Sequence, residues 1–223
     1  MCGRFTLTAK PQAVADAFGL DELPEEFAPR FNIAPSQAVA AIPNTEPRHL
    51  EGLRWGLIPS WAKDPAIGHR MINARAESVA DKPSFRAAFR RRRCLVLADG
   101  FYEWKRDGKR KTPMYIRMRS GEPFAFAGLW EVWKPPGATT AEPLRTCTIL
   151  TTTPNDLVAA IHDRMPVILP PAARELWLAP DDPGRDALES ALRPFPADEM
   201  EAFSVSTLVN SPANDRPECI EPA

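Results

Sequence analysis

Cysteine at position 2 holds a place where its chemistry is unusual. If Met1 is removed, Cys2 carries both a thiol and a free α-amine. Such a 1,2-aminothiol captures an aldehyde twice: the amine forms an imine, and the thiol then closes a five-membered thiazolidine ring. No internal cysteine has this option. With ordinary pKa values of about 7.7–8.0 for the amine and about 8.5 for the thiol, a minority of each is nucleophilic at neutral pH. Modest help from neighbouring acid–base groups suffices to activate them. Taken alone, Cys2 reads first as an incidental residue on a frayed end.

Three later segments hold groups able to supply that help. In Phe101-Tyr102-Glu103-Trp104, strand alternation puts Phe101 and Glu103 on one face and Tyr102 and Trp104 on the other. If the Phe101 face is internal, burial raises the Glu103 pKa towards a range useful for proton transfer; if not, Glu103 is a solvated hairpin residue. Met71–Ser78 places Asn73, Arg75 and Glu77 at period two, hence on one side of an extended segment. That trio is either a solvated face or one wall of a polar site, with Arg75 reaching a phosphate. His162 follows an expected helix and precedes Asp163, which suits either a proton donor favoured by the helix end or a plain structural hydrogen bond.

The elements that must position these groups follow from breakers and periodicity. Pro11 to Phe18, with Gly19 beyond, predicts a short surface helix. Strands are expected at 39–42, 94–97, 114–118, 124–129, 147–152, 167–169 and 204–209, and the residues from Lys134 to Pro143 form a loop. Asp99-Gly100 reads as a turn pair between two strands. Ser84 to Arg93 predicts an amphipathic helix burying Phe85, Ala88 and Phe89 with Arg86, Arg90 and Arg93 outward. A second helix is expected from Thr153 to Ile161, and two short ones between Asp181 and Glu201. Trp55 and Trp61, in Arg54-Trp55-Gly56-Leu57-Ile58-Pro59-Ser60-Trp61, are core plugs or a stacking platform for an unpaired base, and the sequence leaves both open. Regular strand spacing argues for a largely antiparallel sheet or barrel.

With 223 residues, 44% hydrophobic and 26% charged, the chain has enough length for one substantial core, and a single domain over 1–223 is the expectation. Cys2, Cys94, Cys147 and Cys219 lie far apart, and His49, His69 and His162 show no ligand spacing, so neither a zinc site nor a disulfide framework is indicated. The absence of a signal-like opening and of a long apolar run points to the cytoplasm. The net charge of −1 hides an asymmetry. Residues 1–119 hold 21 Lys+Arg against 13 Asp+Glu, and residues 120–223 hold 7 against 16. The basic half permits a phosphate-binding face without requiring one.

Taken in order, MCGRF, RFNIAPSQ, RWGLIPSWA, NARAES, RRCLVLADGFYEW, TPMYI, FAGLWE, TCTILTT, IHDRMPVIL and VSTLVNSPANDRPECI resemble, block by block, the SOS response-associated peptidase family from Met1 to Ile220. Leu97 stands where many members carry proline, and Thr153-Pro154-Asn155 replaces a more usual small residue before Asn. The resemblance implies an α+β fold with a barrel-like, mainly antiparallel β core and peripheral short helices. It implies a monomeric shield of abasic sites in single-stranded DNA that needs no cofactor or metal. Cys2, exposed by loss of Met1, would attack the ring-opened sugar and form a thiazolidine crosslink. Asn73 would hold the sugar hydroxyl or the Cys2 backbone, Glu103 would orient the amine and move protons, and His162 would assist ring opening and release. Arg4, Arg75 and Arg164 would bind flanking phosphates, while Pro35, Trp61 and Thr151 line the strand path. Two other readings stay open: an N-terminal-nucleophile cysteine (auto)peptidase and a non-covalent single-strand binder.

Overall fold

The computed structural model describes residues 2–21, 23, 27–137 and 142–223. Its strands are β1 (Phe5–Leu7), β2 (Arg30–Ile33), β3 (Ala38–Pro43), β4 (Glu51–Trp55), β5 (Asn73–Arg75), β6 (Arg93–Ala98), β7 (Gly100–Asp107), β8 (Arg110–Met118), β9 (Phe124–Trp133), β10 (Leu144–Thr152), β11 (Met165–Pro166), β12 (Ile168–Leu169) and β13 (Met200–Ser204). The α-helices are short: α1 (Pro11–Phe18), α2 (Arg86–Arg91), α3 (Asp156–Ala159), α4 (Pro171–Leu178) and α5 (Arg185–Ser190).

Strands β4, β3, β6 and β9 follow one another, and β10 pairs with both β9 and β4, which closes a five-stranded barrel. A second sheet runs β13-β8-β7-β1-β2 with every pairing antiparallel. Only β10 takes parallel neighbours among the described strands, β4 and β5. The fold is therefore α+β with a barrel-like, mainly antiparallel core. Phe5, Trp55, Phe101 and Phe126 lie in one buried cluster, with Phe5 edge-on to both Trp55 and Phe126. Burying such rings is the main source of stability in a core of this kind. No helix among the described residues is long and apolar enough to cross a membrane.

Helix α1 begins at Pro11 and ends at Phe18, where Gly19 takes the left-handed conformation at φ +62°. Elsewhere the structure departs from the pattern. Asp99-Gly100 is no hairpin turn, because β6 belongs to the barrel and β7 to the other sheet. The chain changes sheets there, and the Asp99 carboxylate accepts from the Thr6 and Thr8 hydroxyls and from the amides of Thr8 and Ala9. Gly100 is needed at this crossing, since any Cβ would collide with the Tyr115 ring.

Arg93, expected outward on a helix, is fully buried at the start of β6. Its guanidinium donates to the carbonyls of Phe89, Arg90, Trp177, Ala179 and Asp181, so five acceptors replace its water. Two of the other three arginines of the run meet acids, Arg90 on Asp182 and Arg92 on Glu131. The helix expected over 153–161 is the single turn α3, capped by the Asn155 side chain on the Val158 amide. The last strand lies at 200–204, ahead of its expected place, and 207–210 forms a 3-10 turn.

Candidate active site

Sheet register builds the centre of the site. Phe5 pairs with Phe101 and Thr6 with Gly100, and the Tyr102 amide donates to the Arg4 carbonyl at 3.0 Å. Continuing that antiparallel ladder carries Cys2-Gly3 alongside Glu103-Trp104. Cys2 is fully buried, with its Sγ 3.9 Å from the Arg4 carbonyl. Burial pushes its thiol pKa well up, and the nearby Glu103 charge pushes it further.

Glu103 is only 3% exposed, on the same side of β7 as Phe101. Burial raises its carboxyl above the ordinary value, while the charge of His162 opposes the rise. His162 Nε2 lies 3.9 Å from Glu103 Oε2. On the other side of the ring, Nδ1 accepts from the Arg164 amide at 3.0 Å and also faces Asp163 Oδ1 at 3.0 Å. An amide can only donate, so the neutral ring carries its proton on Nε2, towards Glu103. A second proton on Nδ1 turns that atom to the exposed Asp163. Because α3 is one turn long and its last residue is Ala159, the ring draws little from a helix dipole; its position comes from the His162 amide bonded to Val158 at 2.8 Å.

A second cluster forms where β5 pairs with β10, placing Asn73 opposite Ile149 and Arg75 opposite Thr151. The Asn73 Nδ2 donates weakly to the Ile149 carbonyl at 3.5 Å, and its buried Oδ1 has no hydrogen-bond partner. A buried acceptor left unsatisfied is costly, which marks Asn73 as waiting for a donor. Glu77 leaves the strand on a 3-10 turn (Ala76–Ser78) and does not share the Asn73 face as expected. It receives a two-pronged grip from Arg164 at 2.7 and 2.9 Å, and that grip holds its carboxyl below the usual range. Arg164 also donates to the Thr151 carbonyl at 2.6 Å. Its charge is thus matched inside the protein, whereas Arg75 is exposed.

Arg4 is anchored too: its guanidinium donates to Asn32 Oδ1 and the Val209 carbonyl at 2.7 Å each, and to the Asn210 carbonyl at 3.3 Å. Three of its five N–H groups are taken, leaving two for a ligand. Pro35 sits half-buried between β2 and β3, before Ser36 at φ +71°. The two tryptophans of the 54–61 stretch divide: Trp55 is buried with its indole N–H on the Ile72 carbonyl, and Trp61 is 60% exposed beside a depression shared with Lys63, Ile67 and Arg70. A cavity of about 430 Å³ opens onto Glu103 and His162, and its other walls are Trp104, Arg106, Lys111 and Asn210. These four escaped the sequence reading. The available signal was the Asp107-Gly108 turn, which pairs Arg106 with Lys111 across β7 and β8.

The barrel fold thus buries Cys2 close to the Glu103 carboxyl, with His162 3.9 Å from that carboxyl. The chain belongs to the SOS response associated peptidase (SRAP) family, whose sequence profile matches residues 1–212. It is 52% identical over 225 residues to the abasic site processing protein YoqW of Bacillus subtilis (strain 168), covering 99% of each chain. It is 30% identical over 235 residues to the abasic site processing protein YedK of Escherichia coli (strain K12), covering all of both. A crystal structure of a protein from Bacteroides thetaiotaomicron is similar over the full length of both chains, with a TM-score of 0.86 at 28% identity.

Proposed function

We propose that this protein processes abasic sites in single-stranded DNA by joining Cys2 covalently to the lesion. The observation that carries the reading is the meeting of Cys2, Glu103 and His162, drawn from three distant segments, in a family whose relatives are named for abasic site processing. Removal of Met1 supplies the α-amine. An abasic sugar spends most of its time as a closed hemiacetal, so capture begins with proton transfer at the ring oxygen and the anomeric hydroxyl, assigned here to His162. The amine then adds to the aldehyde carbon, and the carbinolamine loses its hydroxyl as water with a proton from Glu103, whose carboxyl burial shifts above its ordinary value. The thiol adds across the C=N bond, sulfur to carbon and proton to nitrogen. One water leaves overall, and no oxidant is needed.

A raised thiol pKa suits this order of events. Burial beside Glu103 disfavours a resting thiolate. An iminium on the nitrogen of the same residue reverses that balance when it forms, and the Glu103 carboxylate is placed to take the thiol proton. Asn73 Oδ1, an acceptor without a donor, fits a sugar hydroxyl. Arg75 and the two open N–H groups of Arg4 fit flanking phosphates. Arg164, gripped by Glu77, positions Thr151 and the His162 loop. The protein acts as a monomer in the cytoplasm in this reading.

Intact mass spectrometry with and without an abasic oligonucleotide tests the proposal. The expected product is protein lacking Met1 plus oligonucleotide minus one water, stable to denaturation; protein that stays unmodified beside a reactive abasic strand overturns it. The family description favours one further reading, an N-terminal cysteine peptidase directed at its own amino end. That reading requires Met1 to stay attached in a Cys2→Ala protein made without cellular aminopeptidases.

A further inference from the structure

We propose that the β7–β8 hairpin carries a second phosphate site, formed by Arg106 and Lys111, that holds the DNA strand within a few nucleotides of the reacting sugar. The inference rests on the covalent reading above and adds to it a contact that orients the strand. Arg106 and Lys111 are cross-strand partners, so their side chains stand together on one face of the hairpin. Trp104, two residues before Arg106, shares that face, and all three line the cavity that reaches Glu103 and His162. Three residues of extended strand separate Glu103 from Arg106, about 10 Å. That distance corresponds to roughly three phosphates along a stacked strand.

The charge of this pair is unspent. Some exposed arginines find acids, Arg90 on Asp182, Arg117 on Glu201 and Arg185 on Asp81 and Glu189, while others, such as Arg75, meet none among the described residues. Arg106 and Lys111 are exposed and have no ion-pair partner among the described residues. Two like charges set side by side on a rigid hairpin repel each other, an arrangement that an anion bound between them reverses. The other face of the same hairpin carries Glu103 and, exposed beyond it, Lys105, which does not line the cavity.

That opposite face provides the control. Binding of an intact single-stranded oligonucleotide is read by fluorescence anisotropy across a range of salt concentrations, for wild type, R106A, K111A and K105A. The slope of log affinity against log salt should flatten for R106A and for K111A, each by up to about 0.7, the loss expected for one phosphate contact. K105A removes the same charge and should leave the slope where it was. Equal slopes in all four proteins overturn the proposal, and so does an equal flattening by K105A, which would mean bulk charge alone. Wild-type adduct formation on an abasic strand is scored separately. A wild type that binds with the expected hairpin dependence and forms no adduct sinks the covalent reading and leaves the phosphate site standing. A wild type that forms adduct with slopes untouched by the hairpin variants does the reverse.

Discussion

Glu103 is 3% exposed and Trp61 is 60% exposed, and the two stand for regions built under opposite constraints. Around Glu103 the protein removes water from a carboxyl, a thiol and one side of an imidazole, at a cost in desolvation that shows as raised pKa values for Glu103 and Cys2. Around Trp61 it leaves a large aromatic face and the cations Lys63 and Arg70 in solvent. On the proposed function, the first region changes what protons do and the second changes how long a strand stays. Substitutions in the buried region should therefore alter rates at saturating DNA, and those at the surface should alter affinity alone.

The largest separation comes from Cys2→Ala. Stable adduct should fall to undetectable levels on a denaturing gel, while borohydride still traps an imine through the remaining α-amine; an adduct that survives denaturation without borohydride breaks the assignment. Glu103→Gln comes next, with adduct formation at saturating DNA slowed by about a hundredfold. It should also change stability in a pH-dependent way. A carboxyl whose folded pKa is raised binds its proton more tightly in the native state, so its contribution falls as pH rises from about 4.5 through the folded value. The Gln variant lacks that slope, and thermal melts should show it more stable than wild type at pH 8 and close to it at pH 4. His162→Ala should slow release of a preformed adduct by roughly ten- to thirtyfold, followed by chasing with a competing abasic strand. Trp61→Ala should have the smallest effect: about 1 kcal/mol, or fivefold, in affinity for single-stranded DNA by anisotropy, with the saturated rate unchanged. A rate loss there would merge the two regions into one.

The same division explains what could be read from the sequence. Local periodicity put Glu103 on the Phe101 side of a strand, leaving open whether that side faced inward, and bounded α1 at Pro11 and Gly19. Both are decided within a few residues of chain. Arg93 was misread because its five carbonyl acceptors include three from 177–181, over eighty residues away. Asp99-Gly100 has turn composition, yet its neighbours separate into two sheets, a choice made by β9 and β8 and not by the dipeptide. Glu77 left its strand for Arg164 by the same kind of distant claim. Cys2, Glu103 and His162 could be nominated singly, but their meeting depends on register between β1 and β7 and on a loop after β10. Those are properties of the assembled sheets.

Arg4 is fastened by three bonds to Asn32, Val209 and Asn210, and Asn32 is itself tied to the carbonyls of Ser211 and Asn214. The segment bearing Cys2 is thus a tether two residues long with a fixed far end. Such a short tether cannot swing out to meet metabolite aldehydes in bulk solution, as a floppy terminus would. On the proposed function, an aldehyde must be brought to it and held, and a sugar fixed by its own flanking phosphates is delivered in that way. Discrimination among the many aldehydes of a cell then follows from delivery, with no demand that the aminothiol itself distinguish one carbonyl from another.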